Sequence, residues 1–145
     1  MKTLLLALHL LFAGLWLGCV LTEALFERAL LGKGHAQEAI LGALHKKVDI
    51  FVEIPAFMMV LITGGIMLIT APPSALLYTK IGFGLVAIVA NIYCVWLVFK
   101  RSDHASRGDW AAFAKADHMQ HKVGAIVLCG ILAALGTGLY SFARG

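Results

Sequence analysis

A histidine and two carboxylates lie at helical spacing at the start of a long apolar stretch. His45, Asp49 and Glu53 recur every four residues within HKKVDIFVEIPAFMMVLITGGIMLIT, so on an α-helix they share one face. Ionisable groups in a membrane-length segment are energetically expensive, and they usually face the inside of a bundle and serve a function. Pro55 lacks an N–H, so it should kink this helix and free the carbonyl of Phe51. We therefore expect a polar site on the inward face.

Two further places in the chain supply groups of the same kinds. Glu23 comes late in the first apolar stretch, close to Glu27, and His118 and His121 form an i, i+3 pair where the last apolar stretch begins. Carboxylates and imidazoles from several helices suit Fe, Mn or Zn better than Cu(I), which prefers sulfur. The predicted metal ligands are Glu23, His45, Asp49, Glu53, His118 and His121.

The same histidines also fit a different cofactor. In an up-and-down ring of four helices the second and fourth helices lie on one diagonal, so His45 would face His118 or His121. Two opposed imidazoles can ligate a six-coordinate haem b. The spacing leaves haem and a bare metal ion open as alternatives.

Glu53 gives the sharpest test of an inner site. It lies about two helical turns inside its apolar stretch, beyond the reach of a short side chain to water, so it must have a partner. We predict that Glu53 lies within one ligand shell of Glu23 and His121. Pairing with basic residues alone would favour a structural closure of the bundle instead. Those basic residues are Arg28, Lys46, Lys47 and Lys122.

Membrane-spanning helices must position these residues. The chain has 145 residues, of which 61% are hydrophobic, and its mean hydropathy is +0.88, far from the usual composition of soluble proteins. About 20 apolar residues are needed to cross the hydrocarbon core, and four segments qualify: about 3–29, 46–70, 76–100 and 121–142. The first imitates a signal peptide but is too long to be one. We predict a single all-α domain over residues 1–145, an integral membrane four-helix up-and-down bundle.

Lysine and arginine are unevenly divided between the two sides of such a bundle. One side holds Lys2, Lys80 and Arg144, and the other holds the remaining nine of the 12. Because basic connections stay in the cytoplasm, the sequence predicts a multi-pass protein of a bacterial-type inner membrane with both termini outside. The net charge of +4 fits contact with anionic lipids of the bilayer, and the absence of a soluble basic domain argues against a nucleic-acid partner.

Small residues at four-residue spacing predict close helix packing. Such stripes let helices approach within one chain or between copies, so a homo-oligomer is one alternative. The two stripes are Gly14–Gly18–Thr22 and Gly130–Ala134–Gly138.

Three segments resemble a known family. They are LHLLFAGLWLG with His9 and Trp16, KKVDIFVEIPAFMMVLITGG with Pro55 between a basic residue and glycine, and YTKIGFGLVAIVANIYC with Lys80. On these motifs the chain resembles the small four-helix membrane protoporphyrinogen oxidases that carry haem b and, more distantly, copper-resistance D-type membrane proteins. The resemblance implies their fold, a haem-linked redox function, and His9 and Lys80 as outer-side contacts to haem or porphyrin. Asn91 departs from the family, which has His there, and the fourth helix of the family is not recognisable.

Three functions follow as alternatives. The first is a haem- or metal-binding redox protein of porphyrin or haem metabolism, an oxidoreductase if it is an enzyme, with a porphyrin or quinone-like electron partner. Its cofactor contacts would be His9, Lys80, His45 and His121. The second is non-haem binding or transport of Fe, Zn, Mn or Cu ions by the inner Glu/Asp/His cluster, with binding favoured because the path to His9 is apolar. The third is a structural membrane protein with a charge-paired bundle.

Overall fold

Helices make up nearly all of the chain. The structure, a computed structural model, describes residues 2–144. Within them the helices are α1 (Lys2–Leu30), α2 (His35–Val48), α3 (Ile54–Ile69), α4 (Ala75–Ser106) and α5 (Trp110–Arg144), and a π-helical turn, Asp49–Glu53, joins α2 to α3 without a break. Because α2, the π-helical turn and α3 form one continuous helix, the described residues form four long helices. Each is long and apolar enough to cross a membrane, so the chain is a multi-pass membrane protein, and the predicted all-α bundle is confirmed.

The helices run further than the predicted spans. The two basic connections, the first between spans one and two and the third between spans three and four, are themselves mostly helical. The first connection shrinks to a turn with Gly32 at φ 72° and Gly34 at φ 117°, backbone conformations that favour glycine. The third shrinks to the turn at Gly108, φ 73°, after which the Asp109 carboxylate caps α5 by accepting a hydrogen bond from the N–H of Ala112 at 3.1 Å. We call the half of the bundle next to these two turns the inner half. The side chain of Arg144, used in the charge count, lies outside the described part.

The π-helical turn shapes the second span at its polar residues. The N–H of Ile54 bonds to the carbonyl of Asp49, one residue further back than in an α-helix. Pro55 begins the α-helix that follows, where its missing N–H is tolerated. The turn buries Asp49 and Glu53 and leaves Phe51 exposed on the opposite side. The distortion expected from the proline is therefore a π-helical turn, a feature often found at functional sites.

The four long helices form a closed ring in which each contacts the next one along the chain. The most extensive contact joins α4 to α5; α1 packs along α3, α2 packs along α4, and a short contact between α1 and α5 completes the ring. At the α4–α5 contact a Cβ on Gly130 would lie 2.9 Å from the Cβ of Ala87, so the second small-residue stripe does allow close packing. Gly14 and Gly18 of the first stripe are exposed instead, with open space beside them.

A small apolar core separates the two halves of the ring. In this core the aromatic rings of Trp16 and Phe57 have their centroids 5.9 Å apart. Ile88 and Val127 pack in the same cluster. Most of the large apolar side chains point outward, as expected for a surface that faces lipid. The polar side chains in the interior are therefore the unusual feature of this fold.

Candidate metal centre

A cavity of about 170 Å³ lies in the inner half, between α1, the π-helical turn, α4 and α5. Two groups of polar residues contribute to its wall, the second of them through Glu27, His45 and His121. We call Glu23, Asp49 and Glu53 the acidic cluster, and Arg101 with Glu27, His45, Asp117 and His121 the Arg101 network. Both groups contain three side chains whose carboxylate or imidazole atoms lie within 4.8 Å of one another. They differ in how their charges are compensated.

Arg101 is fully buried and holds the network together from α4. Its Nη1 donates to Oε1 of Glu27 at 3.2 Å and also to Oδ1 of Asp117. The guanidinium carbon lies 5.7 Å from the centre of the Phe113 ring, a cation–π distance. The buried guanidinium gives both carboxylates a charged partner and offsets one of their two negative charges.

His45 is also fully buried, and its hydrogen bonds fix which nitrogen carries the proton. Nη2 of Arg101 lies 2.5 Å from its Nδ1, and because a guanidinium can only donate, Nδ1 accepts. The proton is then on Nε2, which donates to the carbonyl oxygen of Glu23 at 3.3 Å. Gln120 adds a weaker contact to Nδ1 at 3.4 Å. Both ring nitrogens of His45 are therefore occupied by the protein.

His121 links α5 to α1 at the edge of the network. Its Nε2 lies 2.9 Å from Oε2 of Glu27, and its Nδ1 lies 2.9 Å from the carbonyl oxygen of Asp117. Both nitrogens thus face oxygen acceptors, and the side chain is 43% exposed. His121 closes the cavity between α1 and α5, where the helices have little other contact.

The acidic cluster has no such compensation. In the part of the chain that the structure describes, no basic side chain forms an ion pair with Glu23, Asp49 or Glu53, and both carboxylate oxygens of Asp49 lack a hydrogen-bond partner. Asp49 is only 1% exposed, and Glu53 is buried beside it. An unpaired buried charge is strongly unfavourable. The three carboxyl groups must therefore bind protons or a cation.

Two neutral groups complete the surroundings of the acidic cluster. Asn91 on α4 and Trp16 on α1 are buried and point toward Glu53. Neither Nδ2 of Asn91 nor Nε1 of Trp16 reaches hydrogen-bond geometry. Buried polar atoms without a partner call for a water, a proton or an ion beside them.

The residues predicted for one metal site divide into separate places. The structure brings Glu23, Asp49 and Glu53 together, as predicted for Glu53 and Glu23. His121 belongs with Glu27 and Asp117, and His45 belongs with Arg101. His118 is exposed, because its neighbour Asp117 takes the inward position on α5. The predicted Glu53–His121 pairing is not among the groups that form.

The two residues predicted as outer-side cofactor contacts lie in the other half of the bundle. His9 on α1 is half-buried, and its Nδ1 lies 2.9 Å from Oγ1 of Thr63 on α3. Lys80 on α4 is half-buried against Gly138, where a Cβ would lie 3.3 Å from its Nζ. These two polar groups are separated from the inner cavity by the apolar core.

Sequence reasoning missed Arg101 and Asp117 as interior residues, and it missed Gln120. Arg101 lies just beyond the predicted third span, about 76–100, yet it follows Asn91 and Cys94 at helical spacing on the buried face of α4. Asp117 and Gln120 likewise share a face with Phe113, Val123 and Val127. That periodicity was the signal that could have found them.

Comparison with family models, with curated proteins and with solved structures finds no match. The resemblance to membrane protoporphyrinogen oxidases therefore stays a prediction.

Proposed function

We propose that this membrane protein binds one divalent metal ion through Glu23, Asp49 and Glu53. The observation that carries the proposal is Asp49, which is almost completely buried while its two carboxylate oxygens have no donor from a neutral or basic side chain in the described residues and lie beside the carboxyl groups of Glu23 and Glu53. A cation between the three carboxylates would supply the missing partner. Metal–oxygen bonds of about 2.0–2.6 Å place two ligands of one ion at most about 5 Å apart, and the ligand atoms here lie within 4.8 Å.

The donor atoms favour a hard cation. Carboxylate oxygens suit Mg²⁺ and Mn²⁺, whereas imidazole and thiolate suit Zn²⁺ and copper. His45 and His121 are bound within the Arg101 network, which leaves oxygen as the donor of the acidic cluster. Of the metals expected from the sequence, Mn²⁺ and then Fe²⁺ fit best. Either ion when bound would offset two of the three carboxylate charges and would supply one-electron redox chemistry, which an oxidoreductase function could use.

The geometry supports a bare ion better than haem. Both nitrogens of His45 are hydrogen-bonded, and His118 points away from the bundle. The cavity of about 170 Å³ is smaller than the roughly 300–1,000 Å³ of pockets that hold drug-sized ligands, and haem is a large ligand. The cavity has room for an ion and a few waters at about 30 Å³ each.

Binding fits the structure better than transport. Between the acidic cluster and the His9 region the bundle is filled by Trp16, Phe57 and Ile88, which are buried and in one packed cluster. A hydrated ion would have to displace these apolar side chains to reach the other half. The cavity instead reaches Glu27 and His121 near the inner end.

Metal content tests the proposal. Protein purified from metal-supplemented cells and dialysed extensively should contain about one Mn or Fe per chain by elemental analysis. Glu53→Gln should lose the metal, and Glu38→Gln should keep it, because Glu38 serves only a turn, accepting from the N–H of Gly32 at 3.1 Å. Metal-free wild type that added Mn²⁺ and Fe²⁺ fail to reload would overturn the proposal.

The basic residues support one orientation in the membrane. Nine of the 12 lysines and arginines lie at the inner half and the adjoining turns, so we place that half toward the cytoplasm of a bacterial-type cell. A periplasm-specific alkaline phosphatase fused after residue 145 should be active. An inactive phosphatase, with an active cytoplasmic reporter at the same position, would reverse the orientation.

A further inference from the structure

A second concave surface lies on the lipid-facing side of α4 and α5, outside the ring. It is a groove of about 370 Å³ at the inner end of these helices, and neither the acidic cluster nor the Arg101 network contributes to it. The residues that matter for its chemistry are Tyr93, Trp96, Lys100, His104, Lys115 and Met119. We call this surface the basic groove.

The groove changes from polar to apolar along the membrane normal. Lys100 lies six residues before the end of α4 at Ser106, and Lys115 lies five residues after α5 begins at Trp110. Because the two helices are antiparallel neighbours, these lysines stand at nearly the same depth. Trp96 and Met119 lie one turn, about 6 Å, further into the membrane. Cationic groups thus stand at the interface above an apolar floor.

The aromatic floor is ordered and carries one of the lysines. The Tyr93 and Trp96 rings stack with centroids 5.5 Å apart and an interplanar angle of 17°. Nζ of Lys100 lies 5.7 Å from the centre of the Trp96 ring, which fixes the ammonium group over the groove. Tyrosine and tryptophan at this depth are typical of the membrane–water interface.

The positive charge of the groove is not compensated by the protein. Across residues 2–143, neither Lys100 nor Lys115 forms an ion pair with a carboxylate. His104 lies at the rim, where its Nδ1 is 3.7 Å from Oδ2 of Asp109. No acidic residue lines the described groove. Its occupant should therefore be anionic at one end and apolar at the other.

We propose that the basic groove binds an anionic phospholipid of the adjacent leaflet. The lipid phosphate contacts Lys100 and Lys115, and an acyl chain packs along Trp96, Tyr93 and Met119. Basic pockets between transmembrane helices bind anionic headgroups in this way on the cytoplasmic side of a membrane, the side to which the proposed orientation assigns this groove. A zwitterionic lipid binds less well, because its own ammonium group offsets the attraction. The inference is independent of the metal centre.

Tryptophan quenching by a brominated lipid tests the proposal directly, because Trp96 is part of the floor. Phosphatidylglycerol with brominated acyl chains, titrated into detergent-solubilised full-length protein, should quench a fluorescence component that Trp96→Phe removes. Brominated phosphatidylcholine should need a higher concentration. Each lysine near an anionic surface contributes about a fivefold gain in affinity, so the double variant Lys100→Gln/Lys115→Gln should bind about 25-fold more weakly.

The matched control is Lys33→Gln/Lys47→Gln, which removes the same charge from exposed positions at the inner end but outside the groove. It should bind phosphatidylglycerol like the wild type. Equal loss in both double variants would mean nonspecific attraction and would overturn the proposal. So would equal quenching by both lipids, or self-association through the groove with no lipid effect. Circular dichroism of each variant establishes that the helices are retained.

Discussion

The Arg101 network and the acidic cluster lie at the same cavity, yet only the network contains a buried guanidinium. In the network, the buried guanidinium of Arg101 bonds to Glu27, Asp117 and His45. In the cluster, three carboxylates approach one another and the polar groups nearest to them are neutral. Buried charges that pair with one another stabilise the structure, whereas buried carboxylates without a cationic partner require protons or a cation. On this contrast we propose structural closure for the network and metal binding for the cluster.

The difference follows from depth along α4. Arg101 is ten residues from Asn91, about 15 Å along the helix axis, and its Nη1 and Nη2 bond to Glu27, Asp117 and His45 at the inner end. At the depth of the acidic cluster, α4 presents Asn91 and Cys94, which carry no positive charge. The seal predicted from the sequence, with Arg28, Lys46, Lys47 and Lys122 as its cations, is not among the described ion pairs; Arg101 instead pairs with Glu27 and Asp117.

Removing the cation of the network should have the largest effect on stability. Arg101→Met removes the guanidinium from Glu27 and Asp117 and, among the described ion pairs, leaves only His45 and His121 beside them, and breaking a buried pair in this way costs about 3–5 kcal/mol. The measurement is the free energy of unfolding by denaturant titration in a fixed detergent. Arg107→Gln is the control, because that arginine is exposed and pairs only with Asp103, so it should lose less than about 1 kcal/mol.

A triple variant sharpens this prediction. Arg101→Met combined with Glu27→Gln and Asp117→Asn removes all three charges, so it should recover a large part of the loss. If Arg101→Met alone is as stable as the wild type, the two carboxylates do not depend on Arg101 and the contrast between the groups fails.

Removing a charge from the acidic cluster should maintain or raise the free energy of unfolding when metal is absent. Two carboxylates about 5 Å apart at an effective dielectric constant of about 20 repel by up to about 3 kcal/mol. Asp49→Asn should therefore leave metal-free protein as stable as the wild type or stabilise it by up to that amount. Asp103→Asn, at an exposed pair, serves as control. A loss of several kcal/mol in metal-free Asp49→Asn would show that Asp49 already has a partner within the protein.

The smallest expected effect separates two histidines three residues apart. His121→Ala removes the contact to Glu27 at the edge of the network, a partly exposed interaction worth about 1 kcal/mol. His118→Ala should change the free energy of unfolding by less than about 0.5 kcal/mol, because an exposed residue away from special contacts has little effect. Denaturant titrations of both variants check the difference, and an equal or reversed order would contradict the geometry of α5.

The parts of the site that the sequence predicted are those set by local spacing. His45, Asp49 and Glu53 face inward because residues four apart share a face whether the turn between them is α- or π-helical. Glu23 meets Glu53 because both lie at similar depth on antiparallel neighbours. The four long helices follow from hydropathy alone, since the lipid requires them.

The remaining parts depended on where each helix ends and how it is rotated. Arg101 and Asp117 lie in segments assigned to a connection, and only the extension of α4 and α5 brings them into the interior. The spacing of His118 and His121 predicts that both histidines face inward on α5. The helix is instead rotated to bury Phe113 and Val127, because burial of apolar residues fixes the inward face. Histidine spacing without that wider pattern could not distinguish His118 from Asp117.

Calorimetric titration of Mn²⁺ into metal-free protein tests the central claim most directly. The wild type and His121→Ala should each bind one ion with similar affinity, because the acidic cluster is intact in both, and Asp49→Asn should not bind measurably. Binding that is lost in His121→Ala and kept in Asp49→Asn would place the ion in the Arg101 network, and no binding by the wild type would contradict the account altogether.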